Sequence, residues 1–195
     1  MSLIEQFKKL EDTLTFYNIP TLTYFKQRLH REEIISKIKP YGIINEIIIQ
    51  LYEWRNGINY FLIYNSENIH ISVRNTFLLF RLNLLTLDEA IERYNFELTN
   101  PIGYGKDLFP IFSDMGGGYL YIDKDGKTPT LYYSSILRIR GAESCYESLE
   151  TAIETIIECY RTGAIKIKDN GQFETEYLQV KKIAKELNPN CVYWN

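Results

Sequence analysis

The sequence is short of the groups from which catalytic and metal sites are usually built. Its two histidines, His30 and His70, stand far apart and form no HxH or HExxH pair, so neither reads as a metal ligand. The three cysteines, Cys145, Cys159 and Cys191, include no CxxC pair, and an odd count in a 195-residue chain argues against a disulfide framework. Reduced thiols and a cytoplasmic location are the expectation. No GxSxG elbow precedes a helix, and no cysteine has the setting of a nucleophile.

Basic charge is scarce as well. The formal net charge is −3, from 22 basic and 25 acidic residues. Division at Gly57 and Arg140 gives +1, −1 and −3: eight bases against seven acids, eight against nine, and six against nine. A phosphate-tracking protein shows a basic surplus or stripe, so direct nucleic-acid binding is not expected. No apolar run approaches the ~18 residues of a membrane span. The first residues mix Glu5, Lys8, Lys9, Glu11 and Asp12 with apolar side chains, which is unlike a secretory signal.

Motifs that look chemical fail on spacing. Gly116, Gly117 and Gly118 precede an expected strand, whereas a phosphate cradle needs a helix N-terminus there. A turn or bulge beside a closely approaching backbone is the better reading. Gly103 and Gly105 fail similarly, because Leu108 takes the third glycine position. Setting Gly126 sixth in a calcium loop puts Tyr121 first and Tyr132 last, where carboxylates are required. No cofactor or metal is expected.

What is abundant is aromatic surface, with 16 Tyr, 10 Phe and 2 Trp. Tyrosine buries a ring and keeps a polar tip, which serves half-buried strands and protein interfaces alike. Leu3, Phe7, Leu10 and Leu14 follow helical spacing and define a first helix that ends before Pro20. Further helices are expected over 22–38 and 43–54, the latter capped by Asn56 and Gly57. The run 77–84 suits a buried strand, and Thr86 caps a short helix through Tyr94. Strands follow over 107–113, 119–122 and 130–134, the last two joined by the turn 123–126. After a loop from Gly141, a helix spans 146–160, a strand contains Ile165 and Ile167, residues 169–171 turn, and a last helix spans 174–187. Helices first, consecutive strands in the middle and helices last indicate an α+β fold rather than a βαβ array. With no repeat or break in composition, 1–195 reads as a single domain.

Three blocks carry a resemblance. They are Leu51-Tyr52-Glu53-Trp54-Arg55-Asn56-Gly57; Leu108 through Asp114 followed by Gly116 through Asp123; and Ser148-Leu149-Glu150 through Cys159-Tyr160-Arg161-Thr162-Gly163-Ala164. In this order they resemble the SUKH superfamily, which includes the fungal Smi/Knr cell-wall regulators, over about 33–164. The resemblance implies a central, bent antiparallel sheet flanked by helices, with no enzymatic activity and no cofactor. It also implies an immunity protein of bacterial type that binds a cognate toxin, often a nuclease. A general scaffold domain is the alternative, and an enzyme with an unsignposted carboxylate site is a second. The chain departs from the family where a Leu-Pro pair is common, reading Pro40-Tyr41-Gly42-Ile43 here. The N-terminal helical stretch, 1–32, and the extension 165–195 lie outside the resemblance.

The expected partner-contact residues are few. In the first block, Trp54 and Arg55 are expected contacts; the alternative is a helix end in which Trp54 packs and Asn56 and Gly57 terminate, with Arg55 the residue that capping leaves unexplained. Asp114 sits at the mouth of a glycine turn, where a carboxylate is either presented or tied into the turn. Glu147, Glu150, Glu154 and Glu158, spaced three, four and four, form an acidic stripe. Such a stripe is either a solvated helix face or a surface complementary to a basic toxin.

Overall fold

The computed structural model describes residues 2–64, 77–99, 106–135, 141–168 and 172–195. Among these residues the fold is α+β. Helix α1 (Leu3–Phe16) leads to α2 (Arg31–Ile38), α3 (Glu46–Trp54) and the short α4 (Tyr60–Tyr64). Strand β1 (Asn83–Leu84) and helix α5 (Leu87–Thr99) follow. Then come β2 (Leu108–Ser113), β3 (Gly118–Asp123), β4 (Leu131–Ser135) and β5 (Glu143–Tyr146). Helix α6 (Leu149–Arg161), strands β6 (Ile165–Ile167) and β7 (Phe173–Thr175) and helix α7 (Tyr177–Leu187) complete the order. The main sheet is an antiparallel meander, β1-β2-β3-β4-β5, and β6 and β7 form a separate hairpin. Register shifts at Pro110/Phe112 and Leu131/Tyr132 interrupt the ladders, and such bulges bend the strand that carries them.

The helices begin where side chains can satisfy their first free N–H groups. Ser2 and Glu5 form a capping box on α1, as do Ser148 and Thr151 on α6. On α5, Thr86 Oγ1 accepts from Glu89 N while Glu89 Oε2 accepts from Thr86 N. Asn45 caps α3 by accepting from Ile47 N, and its amide donates to the Asp123 carbonyl, so the helix is tied to the end of β3. Helix α1 buries Leu3, Phe7, Leu10 and Leu14, the periodic set, and α6 buries Leu149, Ile153, Ile156 and Tyr160. One core cluster runs from Leu3 to Trp194 and includes β2, β3, α5, α6 and α7.

Several expected elements take another form. The expected helix over 22–38 exists only as Arg31–Ile38, preceded by a 3-10 turn at Pro20–Tyr24. Between them the chain is drawn alongside 52–58: Lys26 N donates to the Gly57 carbonyl, Leu29 N to the Tyr52 carbonyl, and Phe25 bridges Ile58. Those tertiary hydrogen bonds outweigh a helical periodicity worth only tenths of a kcal/mol per residue. The apolar run 77–84 is a strand only at Asn83–Leu84; Leu78 and Leu79 both bond back to Leu82 around a tight turn in which Arg81 has φ 58°. A run buried on every side carries no period that separates a strand from a turn. Gly57 is left-handed, at φ 75°, yet α3 stops at Trp54 with Arg55 extended. The glycine is needed because a Cβ there would collide with the backbone of Leu85 and Thr86. Helix α5 runs on to Thr99, Tyr146 belongs to β5 rather than α6, and β7 occupies the expected start of the last helix. The turn expected at 169–171 and the loop glycines Gly103 and Gly105 lie outside the described residues.

Both outer strands of the main sheet have company on their free side. Ile58 N donates to the Leu84 carbonyl of β1, and Tyr193 N donates to the Ser144 carbonyl of β5. Against the other strands, Glu97 of α5 is buried and accepts at Oε1 from Tyr121 Oη and from Arg93 Nε, each at 2.6 Å. The Arg93 guanidinium lies 4.2 Å from the Tyr119 ring centroid.

Burial raises the phenols of Tyr52, Tyr121, Tyr146 and Tyr160 above their ordinary 10.0, and pushes the Cys159 thiol from 9.0 to about 12. A group with a raised folded pKa holds its proton more firmly folded than unfolded. Its contribution is therefore complete below the unfolded value and drains away as pH climbs through the folded one. The urea midpoint should stay level between about pH 7 and 8.5 and fall steeply by about pH 10.5. A midpoint unchanged at the higher pH would contradict this.

Candidate functional site

The Trp54–Gly57 block is committed to the fold. The Trp54 indole stacks on Phe7 with centroids 4.4 Å apart, and its Nε1 donates to Glu11 Oε1 at 2.9 Å. Arg55 donates to the same oxygen at 2.7 Å. Asn56 Oδ1 accepts from Leu87 N, so the expected cap of α3 instead caps α5. Together these residues fasten α1, α3 and α5, and Arg55 acquires a structural partner that spacing alone does not reveal.

The acidic stripe is partly spoken for. Glu147 Oε1 accepts from the backbone and side chain of Asn190, and Glu158 pairs with Arg161 at 2.6 Å, which lowers the Glu158 pKa. Glu150 and Glu154 make no such bond among the described residues, and all four glutamates are half-buried.

Asp114 opens onto a different feature. Its Oδ1 accepts from Gly116 N at 2.7 Å and Gly118 N at 2.8 Å, and its Oδ2 accepts from Tyr133 Oη at 2.7 Å. A side chain on Gly118 would collide with Asp114 and the Tyr133 hydroxyl, so close approach of side chains, not backbone, explains that glycine. Beside this turn lies a cleft of about 1130 Å³. Its walls come from the turn 77–82, strands β4 and β5, helix α6, the β6–β7 hairpin, α7 and the segment 188–195.

The cleft is built largely of aromatic rings. Tyr193 meets Tyr133 at 5.2 Å and Trp194 at 4.7 Å, both edge-on, and Trp194 also meets Tyr146 at 5.7 Å. Phe80 stands 6.0 Å from Tyr177 and 6.5 Å from Trp194. Trp194 is held by a hydrogen bond from Nε1 to the Cys145 carbonyl at 2.6 Å. Asp114 and Arg81 are the only charged residues among the described lining. Of the expected contact residues, Asp114 alone faces this cleft. Arg81, Phe173, Tyr177, Tyr193 and Trp194 had no local signal beyond the aromatic richness of the chain, because the wall is assembled from segments about 100 residues apart.

No group of three His, Cys, Asp or Glu is arranged to hold a metal ion among the described residues. Cys145, Cys159 and Cys191 are buried and form no disulfide. His30 precedes α2 without a side-chain cap, and His70 lies outside the described residues. No helix among the described residues is long and apolar enough to cross a membrane. No protein-family model and no curated protein matches this chain.

Proposed function

We propose that this chain is a non-enzymatic, protein-binding domain of the SUKH type, an immunity protein that neutralises a cognate toxin by holding a segment of it in the aromatic cleft. The observation that carries the reading is the make-up of that cleft. Five tyrosines, three phenylalanines and Trp194 stand in its described lining beside a single arginine, and tyrosine, tryptophan and arginine are enriched at the energetic centres of protein interfaces. The one carboxylate of the described lining, Asp114, accepts three hydrogen bonds from its own turn and from Tyr133. The SUKH-like blocks and the antiparallel meander that follows and precedes helices in the chain support this family reading. The cleft wall supplied by 165–195 lies outside the blocks of resemblance, so partner choice is assigned to the region of the chain that the family does not share.

The reading is tested by expressing the full chain with each neighbouring gene product. One of them should be captured in equimolar amount and lose its toxicity on co-expression. Tyr177→Glu, on the cleft rim at the first turn of α7, should abolish both effects, since an acid there suits the helix but obstructs an apolar contact. Leu178→Glu, 81% exposed and outside the lining, should leave both intact. Capture of several unrelated proteins, with no toxicity suppressed, would replace immunity with a general scaffold role.

A further inference from the structure

We infer that the cleft receives a segment of its partner that carries an acidic side chain, and that Arg81 is the anchor for that carboxylate. The inference rests on reading the cleft as the partner site. Arg81 is the only basic residue in the described lining, and the carboxylate of its one acidic neighbour there, Asp114, is held by hydrogen bonds from Gly116, Gly118 and Tyr133. The Arg81 side chain is exposed, and its contact among the described residues is the Phe80 ring, with the guanidinium carbon 5.1 Å from the centroid. A guanidinium resting on a ring is oriented but keeps its N–H fork free for a carboxylate, the bidentate partner that its geometry suits.

The backbone points the same way. Arg81 has φ 58°, a left-handed conformation that glycine adopts freely and a residue with a Cβ does not. Arginine therefore stands where local folding prefers glycine, and strain of this kind is commonly held at binding sites. Met115, between Asp114 and Gly116 of the lining, is also left-handed at φ 60°. The cleft volume of about 1130 Å³ exceeds the ~300–1,000 Å³ typical of small-ligand sites. A short stretch of polypeptide, with an aromatic or aliphatic side chain among the rings and a carboxylate at Arg81, fills such a space better than a single small molecule.

The probe is a fluorescein-labelled peptide in which Glu and Phe alternate, flanked by Gly-Ser, with a matched peptide carrying Gln for every Glu. Both are titrated into the full chain by fluorescence anisotropy at an ionic strength of about 0.15 M. The wild-type protein should bind the acidic peptide at least about tenfold more tightly than the neutral one. Arg81→Gln should erase that preference. Arg81→Gly should erase it too, while leaving the melting temperature unchanged or raised, a combination that a purely structural role for Arg81 does not produce. Equal affinity for the two peptides, binding of neither, or a preference that survives Arg81→Gln would overturn the inference. Failure here is separable from failure of the cleft reading. Toxin capture that is lost in Tyr177→Glu but unaffected by Arg81→Gln removes only the acidic anchor, whereas capture that survives both removes the cleft as well.

Discussion

Trp194→Ala should lower the free energy of unfolding by about 3–5 kcal/mol, the usual cost of deleting a large buried aromatic side chain. Trp194 is 1% exposed and meets Phe80, Tyr146 and Tyr193 ring to ring, so its removal leaves a cavity bounded by rigid groups that cannot easily collapse. It also loses the hydrogen bond from Trp194 Nε1 to the Cys145 carbonyl, and a bond of this kind is worth a further ~0.5–1.5 kcal/mol. Trp194→Phe separates the two effects: it keeps much of the ring volume and loses only the N–H, so it should fall between wild type and Ala. Set against a total stability of about 5–15 kcal/mol, the alanine variant sits close to the folding threshold. Urea denaturation checks the order, and a cost below about 1 kcal/mol for Trp194→Ala would mean that 188–195 is not packed in solution as described.

A loss of about 3–5 kcal/mol is also expected when the ion pair in α5 is broken from one side, as in Arg93→Met. The Glu97 side chain is only 4% exposed, and Arg93 Nε, one of the two donors to its Oε1, would be gone. The double variant Arg93→Met/Glu97→Gln should regain most of that loss. A neutral amide still accepts from the Tyr121 hydroxyl, and no charge is left stranded in the interior. The contrast between single and double variants is the informative quantity. Costs that simply added would show that Glu97 and Arg93 act independently.

The regions of the fold that are legible in the sequence are those with a clean period or a strong turn. The spacing of Leu3, Phe7, Leu10 and Leu14 locates α1, and the Asp-Lys-Asp-Gly turn locates the hairpin between β3 and β4. Strand β5 escapes such a reading because Glu-Ser-Cys-Tyr carries no alternation, and β7 because three residues are too few to establish one. The candidate site is less legible. Trp54 and Arg55 look available because Glu11, their shared partner, is 43 and 44 residues away in sequence. Helical spacing places Glu150, Glu154 and Glu158 on α6 and Glu147 just before it, but Asn190 as the counterpart of Glu147 follows only from how the chain folds back. Arg81 is hidden inside an apolar run, where a single charge reads as a strand's outward face rather than the corner of a left-handed turn.

The segments lying along β1 and β5 set a limit on how this protein can meet others. With Ile58 bonded to one border of the sheet and Tyr193 to the other, neither offers an open row of main-chain donors and acceptors for a further strand. Along β1 and β5, among the described residues, copies of the chain therefore meet no open row for cross-β stacking. At these two borders a partner is read through side chains rather than through main-chain pairing. Recognition by main chain tolerates many sequences, whereas recognition by side chains discriminates among them, and such discrimination is what separates one cognate pair from its near relatives.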